Sequence, residues 1–169
     1  MNINIILSVI GPDKSGIVSD ISKIVKNYSG NIEKSRMIRL GDFFTIMVLV
    51  NIDKNNIENL NQELGNYSNY QISIHELKNQ SNDINENIHT IHLNGIDNEG
   101  LVYKITNELA ELDINIEELK TNIENAPMSG LMLFSLTAKI SHPALNYNML
   151  KTKMDILAAE LDVNIIIEN

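Results

Sequence analysis

The chain has 169 residues, of which 43% are apolar and 21% charged, so one medium domain or two small ones with a real core are expected. The absence of cysteine excludes disulfides, thiol catalysis and thiolate metal sites. A net charge of −9, with only a sparse basic stretch (Lys23 to Lys26, Lys34, Arg36, Arg39), argues against direct nucleic-acid binding, and no apolar run approaches the about 18 residues of a membrane span.

The N-terminus "MNINIILSVIG" lacks a basic leader and a cleavage site; it reads as a strand, not a signal peptide, and the expected compartment is the cytoplasm. Asn4 to Ile10 is apolar and β-branched, the pattern of a buried strand. The loop "GPDKSGIV" (Gly11 to Val18) leads into a helix whose Ile17, Val18, Ile21, Ile24 and Val25 share one stripe, with Gly30 as its stop. A second strand runs from Asn31 to about Leu40. Gly41-Asp42 then turns the chain into "FFTIMVLVNI", Phe43 to Ile52, apolar throughout and so expected at the centre of a sheet. A helix over Ile57 to Leu64 and a strand over Tyr70 to Leu77 complete this half.

Beyond the polar stretch Lys78 to Asn87 the same string returns. A strand over Ile88 to Asn94 precedes the loop "GIDNEGLV" and a helix with the stripe Leu101, Val102, Ile105, Leu109 and Leu112. A strand opening at Asn115 follows, then the turn "ENAPMSG" (Glu124 to Gly130) and a strand from Leu131 to Ile140. A helix over Leu145 to Leu161 and a strand over Val163 to Asn169 come last. A shift of 84 residues superimposes Gly11, Asp13, Gly16, Val18, Ile21 and Asn31-Ile32-Glu33 on Gly95, Asp97, Gly100, Val102, Ile105 and Asn115-Ile116-Glu117. The expected fold is therefore α+β: two tandem ferredoxin-like βαββαβ units, each an antiparallel sheet with helices on one face. Their expected limits are residues 1–78 and 88–169, with a linker over 79–87.

Gly-x-Asp-x-x-Gly is neither a dinucleotide fingerprint nor a phosphate-binding P-loop. It has a structural reading, with Asp13 capping the turn and Gly16 opening the helix. It also has a binding reading, because free backbone N–H groups at the positive end of a helix suit a carboxylate. Asn31 and Asn115, expected close to where each loop emerges, could bond both the ammonium and the carboxylate of an amino acid. His89 and His92 fall on opposite faces of one strand, and no metal-ligand spacing accompanies them. No nucleophile–base set is visible, so neither catalysis nor a cofactor is expected.

The stretches "VIGPDKSGIVSDISKIV", "GNIEKSRMIRLGDFFTIMVLV", "GIDNEGLVYKITNELAELDINIEEL" and "NAPMSGLMLFSLTAKI" resemble, in order and over nearly the whole chain, tandem ACT-domain proteins of the glycine cleavage system transcriptional repressor type. That resemblance implies a non-enzymatic regulator of amino-acid metabolism that binds an amino acid at an interface between ACT units. It further implies action through a protein partner, with no membrane or direct nucleic-acid contact, as a homodimer. Carried over, the ligand-binding positions are Gly11, Asp13, Gly16, Ile17, Val18, Asn31 and Ile32, with Gly95, Asp97, Gly100, Leu101, Asn115 and Ile116. The family's second loop reads Asp-Arg-Pro-Gly, whereas here it is Asp97-Asn98-Glu99-Gly100. A lost cation and a gained carboxylate disfavour an anionic ligand, so the first loop, with Lys14, is expected to be the better site. The alternatives are a ligand-free ACT assembly module and a detached regulatory subunit of a biosynthetic enzyme.

Overall fold

The structure, a computed structural model, describes residues 1–77, 87–126 and 130–168. It divides into two compact units, Met1–Asn82 and Asp83–Asn169. Residues 78–86, which hold nearly all of the expected linker, and residues 127–129 of the "APMSG" turn lie outside the described residues.

The first unit runs β1 (Asn2–Pro12), α1 (Ile17–Asn27), β2 (Asn31–Leu40), β3 (Phe43–Asp53), α2 (Ile57–Leu64) and β4 (Gln71–Glu76), with a single 3₁₀ turn at Lys54–Asn56. The second runs β5 (Asn87–Ile96), α3 (Leu101–Glu111), β6 (Asn115–Asn125), β7 (Met132–His142), α4 (Tyr147–Leu161) and β8 (Asn164–Glu168). Each is an antiparallel sheet, ordered β2-β3-β1-β4 and β6-β7-β5-β8. The expected ferredoxin-like layout is therefore present in both halves.

Strand period two decides which residues the helices cover. On β1 and β3 the buried apolar set is Ile5, Leu7 and Val9 with Phe44, Ile46, Val48, Val50 and Ile52. These meet Ile17, Ile21, Ile24 and Val25 of α1 and Leu60 and Leu64 of α2 in one core. Unit 2 repeats this with Ile91, Leu93, Leu136 and Ile140 against Leu101, Ile105, Leu109, Leu150 and Leu157. The third strand is central, as its apolar run implies, yet it is buried on one face only: Phe43 and Met47 stay 58% and 50% exposed. An apolar run predicts burial on both faces, and here no element among the described residues of the unit covers the second one.

The stop of α1 also differs from expectation. The left-handed residue is Ser29 (φ 58°), not Gly30. Gly30 donates to Val25 O at 2.9 Å, and a Cβ there would stand 2.8 Å from Val25 Cγ1, so its role is close approach.

Candidate functional site

Gly16 and Gly100 are the N-caps of α1 and α3, at φ 91° and 83°, and neither helix has a side-chain cap bond. Asp13 therefore does not cap the first turn. Its N–H donates to Asp42 O at 2.9 Å, and its carboxylate lies 3.3 Å from Arg39 Nε. Left-handed backbone strains any side chain with a Cβ, which accounts for glycine at the end of each loop. Ile17 N–H donates to Lys14 O at 3.2 Å, and the remaining first-turn amides of the two helices face an outside acceptor.

The other repeated glycines have packing reasons. A Cβ on Gly11 would stand 2.4 Å from Tyr70 Cδ1, and one on Gly95 would stand 2.5 Å from Val163 Cγ1. Ile17 and Leu101 are core residues at 3% and 2% exposure, while Val18, Ile32 and Ile116 are half-buried against the cores. Of the residues expected to bind ligand, the exposed polar ones on the loops are Asp13 and Asp97, beside Lys14, Ser15, Asn98 and Glu99.

Asn31 and Asn115 are not beside the loops. Asn31 pairs with Asn51 of β3, which pairs with Asn4 at the start of β1; the loop leaves from Gly11 and Pro12, opposite Phe44 and Phe43. Seven residues of strand separate the two ends, roughly 23 Å at the rise of a β-strand. The helix returns the chain to the start of the sheet before β2 begins, so no unit can close a loop-plus-Asn clamp by itself. The repeated Asn-Ile-Glu has a local explanation instead. Both copies place a β-bulge there, between Ile32 and Lys34 and between Ile116 and Glu118. In the second, Glu117 Oε1 accepts from Asn115 Nδ2 and, at 2.7 Å, from Ser141 Oγ.

The two loops differ in more than their own residues. Arg39, which faces Asp13, is replaced at the matching register position by Ile123, since Arg39 pairs with Phe44 and Ile123 with Phe134. Asp97 consequently has no ion pair among the described residues. Beside it opens a depression of ≈ 290 Å³ lined by Asp97, Asn98, Glu99, Gly100, Leu101, Val102 and Phe134. Phe134 and Arg39 were missed by sequence reasoning, because both reach the loops only through strand pairing.

The uncovered sheet faces differ too. In unit 1 that face carries Ile6, Ile10, Ile38, Leu40, Met47 and Leu49; the matching positions in unit 2 are Thr90, Asn94, Asn122, Glu124, Thr137 and Lys139. On the unit 2 face, Glu118 lies 2.7 Å from Lys120 Nζ and 3.1 Å from Lys139 Nζ. Hydrogen bonds from Lys120 and then Lys139 hold its carboxyl down to about 2, from an ordinary 4.5. A depressed carboxyl stabilises the fold fully above its unfolded value and loses that contribution as pH falls through the folded value. Acid titration should therefore weaken unit 2 between about pH 4.5 and about pH 2, and Glu118→Gln should flatten that limb. Hydrogen exchange of the β6 and β7 amides against pH reads it; parallel limbs in the two proteins would contradict the assignment.

Comparison with known proteins gives the following. The ACT domain family model matches residues 4–74. A crystal structure of an unknown protein from Galdieria sulphuraria is 31% identical, covering 99% of this chain and 98% of that one, with a TM-score of 0.87. A structure assigned as a glycine cleavage system transcriptional repressor shares the fold at TM-score 0.71 and 19% identity, over 100% and 99% of the two chains. Among curated proteins, UPF0237 proteins of Methanococcus maripaludis and Neisseria meningitidis are 39% and 41% identical over 51 residues. The match spans 30% of this chain and 57% of the length of those relatives.

Proposed function

The chain belongs to the tandem ACT-domain proteins, and from that premise we propose that it is an amino-acid-responsive regulator of amino-acid metabolism that acts through a protein partner. Expression of the glycine cleavage system is the first process to test, because a protein assigned to its transcriptional repressors shares the fold over the full length. The observation that carries the reading is the repeated glycine-led helix start without a side-chain cap. It offers amides at the positive end of a helix to a carboxylate.

The first loop is the stronger site for an amino acid. Lys14 adds a cation, and Arg39 offsets the Asp13 carboxylate that would repel an anion. Asp13 can in turn take the ligand ammonium. A calorimetric titration of the full chain against the common amino acids tests this. The expected result is one ligand whose affinity falls about tenfold or more in Lys14→Glu, the size of one charge-assisted hydrogen bond. A well-folded protein that binds none of them would end the proposal.

A second reading applies to unit 2 alone. Its loop carries Asp97 and Glu99 with no facing arginine, and its Asn115 amide is engaged by Glu117. This copy is proposed as a structural half that no longer takes the ligand, and Asn98→Lys is expected to leave any ligand affinity unchanged.

A further inference from the structure

We infer that the uncovered sheet face of unit 1 is a self-association surface that pairs with the same face of a second copy of this chain. The internal duplicate supplies the control. The same scaffold in unit 2 tolerates polar residues at six positions of this face, so the fold itself does not demand apolar ones in unit 1. Ile38, Leu40, Phe43 and Met47 are nevertheless 50–70% exposed. Strand register makes them contiguous: Leu40 lies opposite Phe43, and Ile38 opposite Thr45, which in turn is opposite Ile10.

Size and charge identify the occupant. These side chains with Ile10 leave roughly 500 Å² bare, the upper range for a monomer's largest patch. The four-stranded face, roughly 19 Å by 30 Å at ordinary strand spacing and rise, projects to roughly 570 Å², the small end of the range around about 800 Å² per partner for a stable interface. The unit 2 face is the poorer match: beside its exposed Ile88, Ile96 and Ile166 it carries Glu124 and the ion-paired Glu118, Lys120 and Lys139, and laying these against aliphatic side chains would strip charges of water with nothing polar to replace it. The unit 1 face matches itself. Its cations, Lys34 and Arg36, lie at the β2 edge alone, while the outer strand β4 presents Gln71, Ser73 and His75. A two-fold axis along the strands lays the β2 edge over the partner's β4 edge, so apolar rows meet without guanidinium facing guanidinium. Nucleic acid is the weaker fit, because the apolar centre is aliphatic and Phe43 is its one aromatic.

The inference stands whether or not an amino acid binds the first loop. Sedimentation equilibrium of the full chain at about 100 μM tests it. The expected result is twice the mass of one chain, a single mass for the double variant Ile38→Asn with Leu40→Glu (the residues of the duplicate), and the same for Met47→Thr. Glu124→Ala and Lys139→Ala on unit 2 should keep the doubled mass. Circular dichroism shows that each variant is folded, and Met47→Thr decides the question if the double variant is not. A wild-type chain of single mass, a dimer that survives the unit 1 changes, or one lost through the unit 2 changes would each overturn the inference.

Discussion

Gly11→Ala should destabilise unit 1 by about 2 kcal/mol, in the range of an overpacked core. Open space surrounds Gly16, where a side chain meets only backbone strain, but Gly11 has a wall. Its added Cβ would approach Tyr70 Cδ1 at 2.4 Å, Tyr70 Cε1 at 2.9 Å and the Asn69 carbonyl oxygen at 3.0 Å. Two of these atoms belong to a side chain that could swing away, except that Tyr70 is tied: its hydroxyl donates to Pro12 O at 3.1 Å and its ring sits edge-on to Tyr67 at 6.3 Å. Relief therefore costs either the hydrogen bond or the position of β4, which begins at Gln71. Urea unfolding of Gly11→Ala, of Tyr70→Ala and of the double variant separates these causes. The double variant should cost clearly less than the sum of the singles, since removing the ring removes the clash. Strict additivity would show that the glycine has some other role.

Ile105→Ala should cost unit 2 about 3 kcal/mol, within the range for deleting a buried branched side chain and leaving a cavity. Ile105 is fully buried in a cluster with Leu93, Leu109, Leu136 and Leu150. Alanine regains only a few tenths of a kcal/mol from its better helix propensity. None of the residues of that cluster belongs to the cluster of unit 1. The loss should therefore be confined to residues 87–168, with slow-exchanging amides of β5 and β7 losing protection while those of β1 and β3 keep theirs. An equal loss in both halves would show that the two cores unfold as one. The matching experiment, Leu7→Ala, should invert the pattern.

The clamp expected from sequence fails for a topological reason. In a βαββ arrangement the helix runs antiparallel to the strand before it. The residue opening the next strand is thus brought to the start of the sheet and not to the loop. Asn31 is near Gly11 in neither chain distance nor space, and the repeated Asn-Ile-Glu marks a bulge in both copies. The two glycine positions of each loop likewise separate once strand pairing is known. Gly16 and Gly100 answer to a left-handed backbone, whereas Gly11 and Gly95 answer to a close-packed neighbour from the far end of the unit.

What the amino-acid order determined by itself was everything carried by short-range period and by duplication. Alternating and helical stripes placed the strands and helices to within a residue or two, because each face must bury its apolar side. The 84-residue echo made them two copies of one βαββαβ unit. Only the tertiary structure decided which residues share an end of a sheet and which apolar positions stay bare. Phe43 and Met47 are apolar like the core residues Phe44, Ile46 and Val48 beside them in sequence, and it is their side of the pleat that leaves them uncovered. Pairing across strands joins residues far apart in the chain. A chain read one residue at a time holds the period of a face, but not what lies against it.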